Sequence, residues 1–397
     1  MSELTRFESR SFYPMAALGG LISLTGLAAA LYMEHEGHAV TGMTNEVVWG
    51  LPHIVAFFLI IAASGVLNIA SMGSVFGKPM YKIRAPLSGL LSLSMLAGGL
   101  AILMLDLGRA DRIIVAATHF NPTSVFGWNM VLYPGMFSIV AVYLWTMMDR
   151  PMKSYSKLAG LAAFVWRVLL TTGTGSVLAF LVARQAYGSS ILAPMFIVMS
   201  FAWGLAVFVL VQAAMFNSKG ISLPPLVQKR MKHLLGLFVA AVLYFLAVQH
   251  LTNAYFSRNI AFEKFLLVES GFAPVFWVGQ VLVGGLIPLA MLYSRVTDRT
   301  SGFTTAALLV VVGAFSQLYV LIIGGQAYPL DIFPGYEVTS SFFDGQVTGY
   351  TPRLPEILLA LGGVGIAFTV TTIGVRVLRF MPEDDLSYLE VAAKSAD

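Results

Sequence analysis

Apolar residues run along this chain in windows of about 20, the length a helix needs to cross a bilayer core. Ten such windows stand out, at roughly 12–33, 49–72, 85–106, 124–148, 157–183, 191–216, 233–252, 267–293, 303–325 and 355–379. Polar residues collect between them. The windows are too long and too uniformly apolar for barrel strands, which alternate lipid-facing and lumen-facing residues. The pattern predicts an all-α, polytopic integral membrane protein of about ten helices in helix bundles. It forms one transmembrane domain over 1–397, with a long connection at 325–354 and a short polar tail at 381–397. A connection of about 30 residues exceeds the usual 12–15, which points to a functional loop or one covered by a partner.

Composition agrees with the pattern. The chain is 57% hydrophobic and 11% charged, against about 25% charged in soluble proteins. Its net charge of +4 does not suggest nucleic acid, because the basic residues sit in short loops and form no like-charge arm. There is no cysteine, which excludes disulfides, cysteine-ligated iron–sulfur clusters and covalently attached haem c within this chain. If electrons move here, the carrier is non-covalent or belongs to a partner. The start, Met1 to Arg10, has mixed charge and leads into a full-length span without a small-residue cleavage site, so it reads as a retained helix.

Charge asymmetry gives an orientation. Of the 24 Lys and Arg, 17 fall in the N-terminal tail, the even-numbered connections and the C-terminal end. Six fall in the odd-numbered connections, and Arg167 lies within the fifth span. By the positive-inside rule both termini are cytoplasmic, N-in and C-in, in an inner (cytoplasmic) membrane of a bacterial or archaeal cell. Glu34, His35, Glu36, His38, His53, Asp106, His119, Arg184, Gln185, His250, Glu263 and Glu269 then share the outer side. The tail with Glu383, Asp384 and Asp385 is a solvated end or a docking tail for a cytoplasmic partner.

The densest chemistry lies between Asp106 and Trp128, where Asp106-Leu-Gly-Arg109 is followed by His119-Phe-Asn-Pro-Thr-Ser124-Val-Phe-Gly-Trp128. Ionisable groups at a membrane edge usually mark an ion, proton or ligand site. Capping and interfacial anchoring explain Gly108, Asn121 to Ser124 and the arginines equally simply. Asp106 resists that explanation, because a carboxylate in a helix's last turn is disfavoured by about 0.3–1 kcal/mol. Arg167, mid-span, costs about 2.5 to over 10 kcal/mol unless paired, hydrated or snorkelling.

Other clusters are weighed the same way. His53 and His250, on different helices, suit hydrogen bonding or proton exchange with a quinone carbonyl better than haem b, which usually draws paired histidines along the same helices. Each also reads as an ordinary interfacial histidine. Asp106 and Glu269 are candidate proton acceptors, although Glu269 at a helix start is electrostatically at home there. Glu34, His35, Glu36 and His38 match a metal set by type but lack fixed ligand spacing, so no metal is assigned. Gln280 and Gln317 are interhelical glue or site-lining groups. Hydrolase triads, Walker and dinucleotide patterns are absent as convincing matches.

These residues resemble the NrfD/PsrC family, the quinone-interacting membrane subunits of polysulfide, nitrite and related respiratory complexes. The resemblance rests on Asp106-Leu-Gly-Arg109, His119-Phe-Asn-Pro-Thr-Ser124-Val, Arg184-Gln-Ala-Tyr-Gly-Ser189 and Gly324-Gly-Gln-Ala-Tyr-Pro-Leu-Asp331, and it covers nearly the whole chain. Ten helices and the long outer loop look most like the DsrP branch, from the DsrMKJOP sulfur-metabolism complex. Gly127-Trp128 departs from members that carry a carboxylate at that helix start. The resemblance implies electron exchange between a membrane quinone (menaquinone or ubiquinone) and a ferredoxin-like iron–sulfur subunit on the outer, periplasmic face. It also implies a cytochrome c and further membrane or cytoplasmic subunits, proton release or uptake on that side, and no enzyme activity for the chain alone. It places a quinone site near the early helices, edged by His53, Asp106, Arg109, His119, Trp128 and Arg184, with Asp106, His53 and His119 handling protons. The competing readings are a secondary transporter with a midplane polar site, which should show helices broken at Gly/Pro in two matching halves, and a structural anchor. Gly284-Gly285 and Pro288 are candidate breaks, with no matching break in a second half.

Overall fold

The computed structural model describes residues 2–218, 223–330, 345–378 and 380, with the backbone alone for 2–11. The middle of the long connection, 331–344, and the tail, 381–397, lie outside the described residues. Ten helices are long and apolar enough to cross a membrane: α1 Phe12–Glu36, α2 Leu51–Ser74, α3 Ala85–Leu105, α4 Val125–Met148, α5 Pro151–Ala179, α6 Leu192–Ser218, α7 Pro225–Tyr255, α8 Phe272–Leu292, α9 Thr300–Ala327 and α10 Leu354–Val377. Helices satisfy their own backbone, which is what a hydrocarbon solvent demands. The chain is a multi-pass integral membrane protein.

The helices form two four-helix groups. In the first, α2 packs on α3, α3 on α4, α4 on α5 and α5 on α2; in the second, α6 to α9 close in the same way. The helices α2 and α5 pack on α6 and join the groups, while α10 packs on α2 and α3 and pairs with α1. Helix α2 is the centre of the molecule, with its most apolar stretch entirely buried.

Small residues make that centre possible. At the α2–α6 crossing, a Cβ on Gly65 would meet the main chain of Ser200 and Gly204, and one on Gly204 would meet Gly65 and Val66. Helices in lipid gain little from the hydrophobic effect, so close backbone approach and the dispersion it brings hold them together.

Arg167 finds its partners at the same junction. It is 1% exposed. Nη1 donates to the Ser64 carbonyl at 3.1 Å and Nη2 to Asn68 Oδ1 at 2.8 Å, while the guanidinium lies 4.8 Å from the Phe164 ring centre and 5.4 Å from that of Phe201. Asn68 follows a break at Leu67 that divides α2 into Leu51–Val66 and Asn68–Ser74. The arginine is therefore paired in place and does not need to snorkel.

Two helix starts that differ from the hydropathy reading have a clear local cause. Helix α7 begins at Pro225, well before 233, because its first turns are polar yet packed. Gln228 Nε2 donates to the Thr297 carbonyl at 2.8 Å, and Lys232 Nζ donates to the Ser294 carbonyl at 2.8 Å and Asp298 Oδ1 at 2.9 Å. Helix α8 begins at Phe272, not 267. Residues Phe265–Glu269 form a separate π-helical turn, closed by extended backbone at Ser270 (φ −101°, ψ 167°). Glu269 thus ends that turn and pairs with Lys264 at 2.5 Å, and does not open the eighth span.

Overpacking the α2–α6 crossing should cost about 1–3 kcal/mol or more. Gly65→Leu is expected to lower the unfolding temperature in detergent well below that of Gly20→Leu, whose Cβ meets nothing within 4 Å. Equal melting temperatures would contradict the close crossing.

Candidate functional site

The five odd-numbered connections meet at one end of the molecule. Arg184, after α5, donates to the Gln326 carbonyl at 2.8 Å and to the Glu46 carbonyl at 2.7 Å. Arg258, after α7, donates to the Val182 carbonyl at 3.3 Å. Tyr350, before α10, accepts from the Leu51 backbone N–H at 2.6 Å. Five of the six histidines lie at this end, which we call the histidine-rich end.

At its centre are His53, Asp106 and His38. Asp106 caps the C-terminus of α3, as its position predicted, and is 6% exposed. His53, in the first turn of α2, brings Nδ1 to 3.0 Å from Asp106 Oδ2. The separation is that of an ion pair, but the alignment is not that of a hydrogen bond. His53 Nδ1 and both Asp106 carboxylate oxygens thus have no hydrogen-bond partners among the described residues. His38 approaches from the α1–α2 connection. Its Nε2 lies 3.1 Å from the Asp106 carbonyl oxygen and 3.9 Å from Oδ1.

The surroundings pin this cluster. Gly108, at φ +69°, turns the chain away from α3, and a Cβ there would sit 2.9 Å from His38 Cε1. Gln326 Oε1 accepts from the Val48 and Trp49 N–H groups at 3.0 Å each, and its Nε2 donates to the Trp49 carbonyl at 3.0 Å. Trp49 is thereby held over His53, with ring centres 6.1 Å apart and planes 22° apart, and it also faces Phe57 and Phe126. Glu356, wholly buried in the first turn of α10, accepts from Gly42 N at 2.6 Å, Arg353 N at 2.9 Å and the Tyr350 hydroxyl at 2.7 Å. Burial, with Glu356 beside it, pushes the Tyr350 hydroxyl's pKa up and keeps it a donor.

The remaining expected residues lie apart from this cluster. Arg109 is exposed, its guanidinium paired with Asp111 at 2.9 and 3.0 Å, which holds the Asp111 carboxyl below its ordinary range. His119 is exposed, with Nδ1 2.8 Å from Thr118 Oγ1. Trp128 is 41% exposed and donates from Nε1 to the Pro122 carbonyl at 2.9 Å. Arg184 ties connections together, as described above, and partial burial lowers its pKa from the ordinary arginine value. His53 and Asp106 are thus brought together; Arg109, His119, Trp128 and Arg184 are not brought to them.

Sequence reasoning missed His38, which sits among Glu34, His35 and Glu36 in the chain. His35 pairs with the exposed Glu36 at 3.0 Å, whereas Gly37 (φ +77°) turns His38 back toward Asp106. It also missed Tyr350, Glu356 and the role of Gln326, whose partners lie some 300 residues away in the chain. His250 belongs to a separate cluster, with Nδ1 2.7 Å from Glu263 Oε2. The His53 cluster can hold a proton between two imidazoles and one buried carboxylate, beside an aromatic wall suited to a flat ring.

Comparison with known proteins places the chain in a family. The chain is 28% identical over 385 residues to an Hdr-like menaquinol oxidoreductase integral membrane subunit of Archaeoglobus fulgidus, covering 96% of this chain and 97% of that one. It is 28% identical over 400 residues to a candidate membrane subunit of a dimethyl sulfoxide reductase of Halobacterium salinarum, covering 90% and 89%. It is 20% identical over 402 residues to a subunit of the selenate reductase of Mesobacillus selenatarsenatis, covering 90% and 92%. The family model for polysulphide reductase, NrfD, matches residues 39–329, and the chain belongs to that family.

Proposed function

We propose that this chain is the quinone-reactive membrane subunit of a multi-subunit oxidoreductase, working at the histidine-rich end. One observation carries the reading: His53 Nδ1 and both Asp106 oxygens are buried at a membrane edge without hydrogen-bond partners among the described residues. An unsatisfied buried polar atom costs about 1–3 kcal/mol, more for a charged one, and a cost of that size borne by an ionisable pair points to a site. A quinone fits these residues, having carbonyl or hydroxyl oxygens for an imidazole and an apolar ring for Trp49, Phe57 and Phe126. The menaquinol oxidoreductase relative points to the same ligand class.

A bound quinol supplies two electrons and two protons. Around it, Asp106 holds the His53 ring by the 3.0 Å ion-pair contact at Nδ1, which leaves Nε2 as the atom that exchanges a proton with the ligand. The Asp106 carboxylate stabilises the imidazolium so formed. His38, half-exposed on the other side of the carboxylate, passes the proton to water. Trp49, stacked over the His53 ring, excludes water from that face. Glu356 and Gln326 hold the segment that carries Trp49 and His53.

Electrons must leave through a partner, because a chain without cysteine holds no iron–sulfur cluster. With the positive-inside orientation, the histidine-rich end is the outer face of an inner membrane. A ferredoxin-like iron–sulfur subunit docks there, with a cytochrome c and further subunits completing a complex of the DsrP, sulfur-metabolism type. A secondary transporter would carry discontinuous helices at midplane. Helix α8 instead continues through Gly284-Gly285 and Pro288 without a break.

Titration of the detergent-solubilised complex with a menaquinol analogue, followed by fluorescence quenching, tests the site. Asp106→Asn and His53→Ala should each weaken binding roughly tenfold or more, the size of one hydrogen bond to a charged group. Unchanged affinity in both variants would move the site elsewhere. Absence of saturable binding in the wild-type complex would sink the electron-transfer reading. Gly108→Ala should weaken binding less, because it shifts His38 and strains a left-handed turn by about 1–2 kcal/mol. Binding and melting temperature both at wild-type values would contradict that role.

A further inference from the structure

The second helix group holds a polar interior that the His53 site does not use. A cavity of about 20 Å³, counted as space open to water centres, lies under His250 and Glu263 and reaches Gln249, Gln280 and Gln317. A second cavity of about 20 Å³ shares Leu246, Gln280 and Gln317 with it and continues to Trp203, Gly284 and Gly313. Roughly 10–15 Å³ of such space admits one water, so each has room for a water molecule.

Three buried amide atoms at these cavities have no partner among the described residues: Gln249 Oε1, Gln280 Oε1 and Gln317 Nε2, on residues 3%, 5% and 4% exposed. Each would cost about 1–3 kcal/mol if left unsatisfied. Two are acceptors and one is a donor, which suits water, a donor and acceptor at once, better than a cation that needs acceptors throughout. The backbone points the same way. The three π-helical stretches of the described residues, Phe265–Glu269, Val275–Leu286 and Val320–Gly324, all contribute to the first cavity, through Leu266, Gln280, and Val320 with Leu321. Widened turns of this kind gather at functional sites.

At the mouth, Glu263 is 3% exposed and accepts from Asn253 Nδ2 at 2.8 Å, with His250 Nδ1 2.7 Å from its other oxygen. These two are the titratable groups lining the cavity; α8 and α9 contribute Gln280 and Gln317, and no other charged side chain among the described residues lines it.

We propose that α6 to α9 enclose an internal water chain, entered past the His250–Glu263 pair at the histidine-rich end, that keeps this buried pair in proton exchange with that end of the molecule. A proton taken up at the pair is returned the same way, while the waters hydrogen-bond to the pair and to the three amides; nothing is oxidised or reduced. The chain stands on residues separate from His53 and Asp106, so it holds or falls independently of the quinone site.

Radiolytic hydroxyl-radical footprinting of the full chain in liposomes tests the water. Met195, which lines the first cavity, should be oxidised several-fold faster than Met136, an equally buried methionine of α4 that lines neither cavity. The double variant Gln280→Leu/Gln317→Leu should bring Met195 down to the Met136 rate while quinol-analogue binding stays at the wild-type value. Wild-type Met195 oxidised no faster than Met136 would overturn the proposal, as would a double variant that leaves the rate unchanged. Infrared difference spectra between acid and neutral pH test the proton. A carboxyl band that is lost in Glu263→Gln and shifts promptly in D2O is expected. A Glu263 carboxyl that never protonates, or one that exchanges only over hours, would overturn the proton route.

Discussion

A bilayer core offers no water to a polar group, so every ionisable or hydrogen-bonding atom inside this molecule must be paired within the protein or stand unpaired for a reason. Most are paired. Glu356, with no exposed surface, takes hydrogen bonds from three donors on two segments. Lys232 reaches a carbonyl and a carboxylate at the opposite end of the molecule. Arg167 spreads its charge over a carbonyl, an amide and two aromatic faces, and so ties α5 to α2 at the junction of the two groups. Against that background the His53–Asp106 pair and the three glutamines at the cavities within α6 to α9 are among the exceptions, and both of our functional proposals begin from them.

The fold makes these exceptions tolerable. The close Gly65–Gly204 crossing and the long apolar α2 give a rigid centre. The connections that meet above it are cross-tied by Arg184, Gln326 and Tyr350. A buried carboxylate without hydrogen bonds persists only where its neighbours cannot relax around it, and the capped end of α3, the left-handed Gly108 and the clamped start of α2 provide that. On our proposal, rigidity here serves proton exchange by keeping an imidazole beside a carboxylate until a ligand arrives.

Much of this was legible in the chain. Hydropathy alone located ten spans, and the electrostatic oddity of Asp106 at a helix C-terminus singled out the residue on which the cluster turns. What was not legible depended on long-range closure. His38 looks like one of four neighbouring polar residues until Gly37 folds it back, and Tyr350 and Glu356 meet Leu51 and Gly42 only because α10 packs beside α2. Arg109 and His119 have the right chemistry in the right segment, but local pairing with Asp111 and Thr118 keeps them at the surface. The early start of α7 escaped hydropathy because its polar first turns are buried by specific hydrogen bonds and not by apolar contact. Gln280 and Gln317 were visible as polar residues in spans, but only the packing of the π-helical part of α8 against α9 brings both to the same cavity.

The most direct test of the central claim is a cryo-electron microscopy structure of the native complex with a quinol analogue bound. The account predicts density for the head group within hydrogen-bond reach of His53, beside Asp106 and against Trp49. Head-group density confined to any other part of the chain, with the His53–Asp106 pair unchanged, would contradict it.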